Sequence, residues 1–152
     1  MATQPVRIPA SGGEVILAGE AEQKAYERMH FAAARRSGDT IYISGVIVSR
    51  ASGEGNDVAA FKDQVRRAFQ RIGQTLAAAC VGFADVAMIN SFHVFDTPHF
   101  AGSRGDHFAA LAAVKEEFML APHPAWTAVG TTALLSDTGI VEIQMIAHAP
   151  RN

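Results

Sequence analysis

The stretch from Asp57 to Ala79 constrains the fold more than any other. Phe61, Val65, Ala68, Phe69, Ile72, Leu76 and Cys80 recur at three- and four-residue steps, the spacing that lines one face of a helix. Asn56 or Asp57 can cap its start and Gly82 can end it. A helix with one apolar stripe needs a surface to lie on, and the flanking sequence supplies one. "HFAAARRSGDTIYISGVIVS" reads as two strands turning at Ser37-Gly38-Asp39, and "VAMINSFHVFD" (86–96) as a third. "HFAALAAVKEEFM" (107–119) repeats the helical spacing, with Phe108, Leu111, Val114 or Lys115, and Phe118 along one stripe. Pro122 and Pro124 stop it. "AWTAVGTTAL" and "GIVEIQMIAHA" add two strands around Ser136-Asp137-Thr138-Gly139. The order β-β-α-β-α-β-β predicts an α+β sandwich, a mixed sheet with two helices on one face. Residues 1–14, rich in Pro, Gly and Ser, read as a loose arm, and 15–29 take no firm assignment.

A chain of 152 residues, 49% apolar, fills one core. A single domain over 1–152 is expected, with no metal or disulfide staple required. Cys80 is the lone cysteine, so no intrachain disulfide forms; it continues the helical stripe and reads as a packed core thiol. The net charge is −2, and Arg35-Arg36 and Arg66-Arg67 are the only basic pairs. That balance argues against a nucleic-acid partner. No apolar signal core opens the chain and no run reaches transmembrane length, so a cytoplasmic protein with no membrane partner is expected. No HxxxH or Cys/His ligand set appears, so no metal site is expected.

Side chains alternate along strands. In the last strand Val141, Ile143 and Met145 point one way, Glu142 and Gln144 the other. Grouping Phe92 and Val94 with Val141 and Ile143 gives the face that holds the helices. The opposite face then carries Trp126, Ala128, Gly130, Glu142, Gln144, His93, Phe95, Tyr42 and Ser44. Large apolar residues beside single polar ones suit a face covered by another subunit, with pockets at the seams.

The strand "GDTIYISG", the helix "AFQRIGQTLAAAC" followed by a "DV" strand, the helix "HFAALAAVKEEF" and the ending "HPAWTAVGTTAL…GIVEIQMIAHAP" resemble, in order and spacing, the RidA/YjgF reactive-intermediate deaminase family. The family is also called L-PSP endoribonuclease-like, and the likeness covers about residues 30–150. It implies the chorismate-mutase-like YjgF fold, a homotrimer with inter-subunit clefts, and hydrolysis of amino-acid-derived enamines and imines to ketoacids and ammonia without a cofactor. The ribonuclease activity belongs to a few members and is the weaker inheritance.

Carried over position by position, the resemblance is incomplete. The arginine of the family's "PARS", which pairs with the substrate carboxylate, is Trp126 in "PAWT". The tyrosine before the first hairpin turn becomes Phe31, the asparagine of the second helix falls at Ala112, and the residue two after the arginine, often cysteine, becomes Ala128. The serine of "SG" is retained as Ser44, and the glutamate of "VEI" as Glu142. Glu142 is the leading catalytic candidate, since a carboxylate in a partly dry cleft can pass a proton to or from water or an imine nitrogen. His93 is the second, because imidazole titrates near neutrality. Trp126 lacks the bidentate fork but can stack on a flat, conjugated substrate. Ser44, Phe31, Ala128 and Ala112 complete the expected substrate-binding set. Arg104, in "AGSRGDH", is a loop arginine that can restore a guanidinium from another direction. His30, His99, His107, His123 and His148 share no spacing or visible carboxylate partner; His99 and His107 flank a glycine-rich loop that could line a cleft, and read as surface residues. The reading is a small-molecule hydrolase or deaminase, unlikely to favour simple 2-iminoacids; the alternative is a non-catalytic ligand-binding trimer using the same cleft.

Overall fold

The computed structural model describes residues 4–150. The chain opens with a hairpin, β1 (Val6–Ala10) and β2 (Gly13–Leu17), where a loose arm was expected. Gly12, at φ +74°, makes the turn between them in a region L side chains rarely enter. Pro9 fits because β1 is an edge strand, where a missing N–H breaks no ladder. Helix α1 (Glu20–Met29) follows, a third helix that the sequence did not reveal. It buries no residue and carries an ion pair, Glu20 to Lys24, at 2.6 Å.

The next two strands are β3 (Ala34–Ser37) and β4 (Thr40–Ser49), turning at Gly38-Asp39, with Gly38 at φ +58°. Helix α2 (Val58–Ala78) starts where Asp57 accepts the Ala60 N–H at 2.8 Å, as the cap signal predicts. Its stripe of Phe61, Val65, Ala68, Phe69, Ile72 and Leu76 is buried, none more than 2% exposed. At about 1.5–3 kcal/mol for each large side chain, this stripe alone accounts for the helix's seat on the sheet. Cys80 departs from expectation. It sits one residue beyond the helix cap in the left-handed region (φ 60°), is exposed, and has Arg7 Nη2 3.3 Å from its sulfur.

Strand β5 (Val86–His93), helix α3 (Arg104–Phe118), β6 (Ala125–Gly130) and β7 (Gly139–His148) complete the chain. α3 begins three residues before its predicted start, at a reciprocal cap between Ser103 and Asp106. The sheet runs β1-β2-β3-β4-β7-β5-β6. Only β5 and β6 pair parallel, with α3 as their crossover, so the sheet is mixed as predicted. The core lies between the helices and Ile41, Ile43, Val141, Ile143 and Met145.

Register corrects the assignment of faces. In an antiparallel ladder, paired residues share a face. Phe92 pairs with Glu142, whereas Ser91 pairs with Ile143 and His93 with Val141. Phe92 therefore lies on the open face beside Glu142, and His93 lies under the helices. Trp126 pairs with Ile89, Ala128 with Ser91 and Gly130 with His93, so these three also share the helix side. Glu142 and Trp126, expected on one face, occupy opposite faces. The open face keeps Tyr42, Glu142 and Gln144 and gains Phe92 and Val129.

Candidate functional site

The residues singled out in the sequence fall into two groups. The first surrounds the Ser44–Gly45 bulge in β4, where the ladder to β7 skips between Ile43 and Val46. The bulge brings Gly45 against Glu142. A Cβ on Gly45 would lie 2.3 Å from Glu142 Oε1 and 2.8 Å from Cδ and Cγ. The missing side chain thus makes room for the Glu142 carboxylate at the backbone. Ser44 donates its hydroxyl proton to the Ala32 carbonyl at 2.6 Å, and the Ser44 N–H donates to Ala33 O at 2.9 Å. Its hydroxyl oxygen is left as an acceptor rather than a nucleophile. Phe31, Ile43, Ser44, Gly45 and Val46 line a cavity of about 110 Å³, closed on the helix side by Arg71 and Thr75 of α2 and by Glu22 of α1.

The second group lies on the helix side of β6, three strands from β4, roughly 14 Å at ordinary strand spacing. Phe108 stacks on Trp126 with ring centroids 5.1 Å apart, and Lys115 Nζ is 6.0 Å from the same ring. Ala112 lies between Phe108 and Lys115 on one helical stripe, and Ala128 follows Trp126 by two residues on the same face of β6. Phe108 and Lys115 join Trp126. Sequence reasoning assigned both to α3's packing stripe, because the stripe and the Trp126 wall are the same surface.

Behind Trp126 runs a hydrogen-bonded chain into the core. The indole Nε1–H donates to Ser91 Oγ (2.8 Å), Ser91 Oγ is 2.7 Å from His93 Nε2, and His93 Nδ1 is 3.0 Å from His107 Nε2. Proton accounting assigns one direction. Ser91 accepts from the indole and donates to His93, and His93 donates from Nδ1 to His107 Nε2. His107 Nδ1 then carries a proton with no partner. The reverse direction would orphan the Ser91 proton as well. Neither His93 nor His107 is exposed at all, against the expectation of an open-face His93 and a surface His107. Phe61, Phe95 and Phe100 pack around His107 at 4.8–5.3 Å. Burial pushes both imidazoles from the ordinary 6.5 down to about 4, and repulsion between the two adds to the effect at His107. Both are neutral at pH 7, and His93 is removed from contact with anything on the open face.

Arg104 opens α3 with its guanidinium over the Phe95 ring, 4.7 Å from the centroid, beside a cavity of about 450 Å³ lined by Asp96, Gly130, Thr131 and Thr132. It joins neither group. Among the described residues no cluster of three or more His, Cys, Asp or Glu is placed to hold a metal, and no helix is long and apolar enough to cross a membrane.

The sequence pattern of the family described as Endoribonuclease L-PSP matches residues 22–149. The chain is 37% identical over 126 residues to the RutC family protein YjgH of Escherichia coli (strain K12), covering 82% of this chain and 87% of the relative. A solved structure of protein YjgH superposes with a TM-score of 0.65, covering 84% of this chain and 89% of that one. A crystal structure of RidA from the Antarctic bacterium Psychrobacter sp. gives 0.61 at 28% identity, covering 78% and 87%. Pattern, sequence and the mixed sheet under its helices agree: the chain belongs to the RidA/YjgF family of L-PSP endoribonuclease-like proteins and has its α+β fold.

Proposed function

We propose that the protein is a homotrimeric hydrolase or deaminase of a small conjugated imine or enamine, with its reaction centre in a cleft between subunits. The observation that carries this reading is the Glu142 carboxylate seated against Gly45 at the β4 bulge, one residue on from Ser44. Glu142 takes and returns the proton as water adds to the imine carbon and ammonia leaves. Ser44 orients the ligand as an acceptor, and Phe31 forms a wall. The Trp126 group stands too far away in one chain to reach the same small molecule. The β6 edge of one copy, with Trp126, Ala112 and Ala128, completes the bulge site of the next. Tyr42, Phe92 and Val129, each 37–47% exposed on the open face, supply apolar surface for the copies to bury.

The indole at 126 favours flat substrates over simple 2-iminoacids, because no neutral ring reproduces bidentate carboxylate recognition. Imines generated in place from aromatic amino acids should be hydrolysed faster than the imine of alanine. Glu142→Gln should abolish turnover while the solution mass stays at three times the 16.2 kDa chain. An alanine-imine rate matching that of arginine-bearing relatives refutes the substrate assignment. Full turnover by Glu142→Gln removes the carboxylate's role, and binding with no turnover on any imine favours a ligand-binding trimer.

A further inference from the structure

We infer that Arg71 of α2 makes the Phe31–Ser44 cavity a binding site for a small organic carboxylate, supplying from the helix side the guanidinium absent at Trp126. Arg71 lines two adjoining cavities, the 110 Å³ one beside Ser44 and a wider cleft of about 590 Å³ between α1 and α2. Glu22 and Ala21 are the other residues common to both. Arg7, Arg35, Arg36, Arg50, Arg66 and Arg67 are all tied by side-chain hydrogen bonds. The Arg71 side chain makes no hydrogen bond or ion pair among the described residues, and it is exposed. An unengaged planar fork of donors beside a small cavity is the arrangement that recognises a carboxylate.

The nearest acid does not occupy it. One oxygen of the Glu22 carboxylate accepts the Thr75 hydroxyl at 2.6 Å, and the other accepts the Ala18 N–H. Glu22 is therefore spent on pinning the first turn of α1 to α2, and it forms the cavity's polar rim while leaving Arg71 free. The remaining walls, Phe31, Ile43, Val46 and Ala25, are apolar, so they favour an acid with a flat or hydrocarbon body over an inorganic anion. Ser44, its proton given to Ala32, offers only an acceptor and so does not itself hold the carboxylate; the charge recognition falls to Arg71. A carboxylate held here enters from the α1–α2 side, not from the β6 edge where the family's arginine stands.

This assignment rests on Phe31 and Ser44 being substrate-binding residues, but its test needs no turnover. Benzoate and its neutral isostere benzamide are titrated into the full-length protein by NMR. Wild type should bind benzoate at least tenfold more tightly than benzamide. Arg71→Gln should erase that preference with an unchanged melting temperature, and Arg71→Lys should keep part of it. Arg28→Gln, at an exposed arginine of α1 that lines neither cavity, should bind benzoate as wild type does, which separates this site from a general effect of positive charge. No preference in wild type overturns the inference, as does a preference that survives Arg71→Gln.

Discussion

Acidification should destabilise this protein through one identifiable pair of rings. His93 and His107 are fully enclosed, bonded to each other at 3.0 Å, and held at about 4 instead of 6.5. The unfolded chain takes up their protons first, so the pair's contribution is fully present above pH 6.5 and is lost as pH falls toward 4. At pH 5 an ordinary histidine is about 97% protonated and one at 4 about 10%, a difference worth about 2 kcal/mol per ring and about 4 kcal/mol for the pair. Nothing around them relieves the charge. Phe61, Phe95, Phe100 and Phe108 surround the rings, α3 carries the cations Arg104 and Lys115, its Asp106 is bonded to Ser103 at the helix cap, and Asp96 lines the Arg104 cavity without bonding to either ring. Against a typical total of 5–15 kcal/mol, such a loss is easily measured. The assay is urea unfolding of wild type and of His93→Phe/His107→Phe at pH 7.5 and 5.0. Carboxylates that titrate over this range contribute equally to both proteins and cancel. Wild type should lose about 4 kcal/mol more than the double variant; if that variant fails to fold, His107→Leu should lose about half the excess. Parallel losses would refute the argument that these rings are buried neutral.

Two further outcomes follow from the same contacts. Gly45→Ala forces Glu142 aside, since its Cβ would stand 2.3 Å from Oε1; turnover should fall at least tenfold, while unfolding in urea shifts by no more than about 1 kcal/mol, because the displaced group is a flexible side chain. Ser91→Ala strands the Trp126 indole N–H and the His93 Nε2 lone pair, costing about 1–3 kcal/mol and shifting the emission of Trp126, the protein's one tryptophan; an unchanged spectrum would sink the hydrogen-bond chain.

The sequence showed the long helix, α3, the five strands β3 to β7 and the mixed sheet because each has a strong period or turn. It did not show α1, whose polar composition and lack of any buried residue leave no stripe to detect. The β1–β2 hairpin lies in "VRIPA-SG-GEVIL", whose Pro and Gly content reads in sequence as a loose arm. The phase of β5 was the consequential miss. Alternation fixes two faces without saying which is buried, and "NSFHVF" tempts one to bury its Phe and Val. The deciding fact is non-local: α3 brings His107 to meet His93, so a polar face becomes the satisfied one.

That phase changes what the tryptophan signifies. Read in sequence, Trp126 looks like one lost arginine in an otherwise retained site. In the structure the indole is gripped on three sides, by Phe108 stacked at 5.1 Å, by Lys115 and by Ser91, which in turn sets the direction of the buried histidine pair. An arginine at 126 would face a Lys115 side chain only 7% exposed and would forfeit the ring stack. Two cations in so dry a setting repel strongly. Trp126 is therefore one member of a cluster distributed over β6, β5 and α3. Restoring a guanidinium at 126 alone would disrupt the wall without rebuilding carboxylate recognition. The guanidinium that the structure offers at the Phe31–Ser44 cavity is instead that of Arg71.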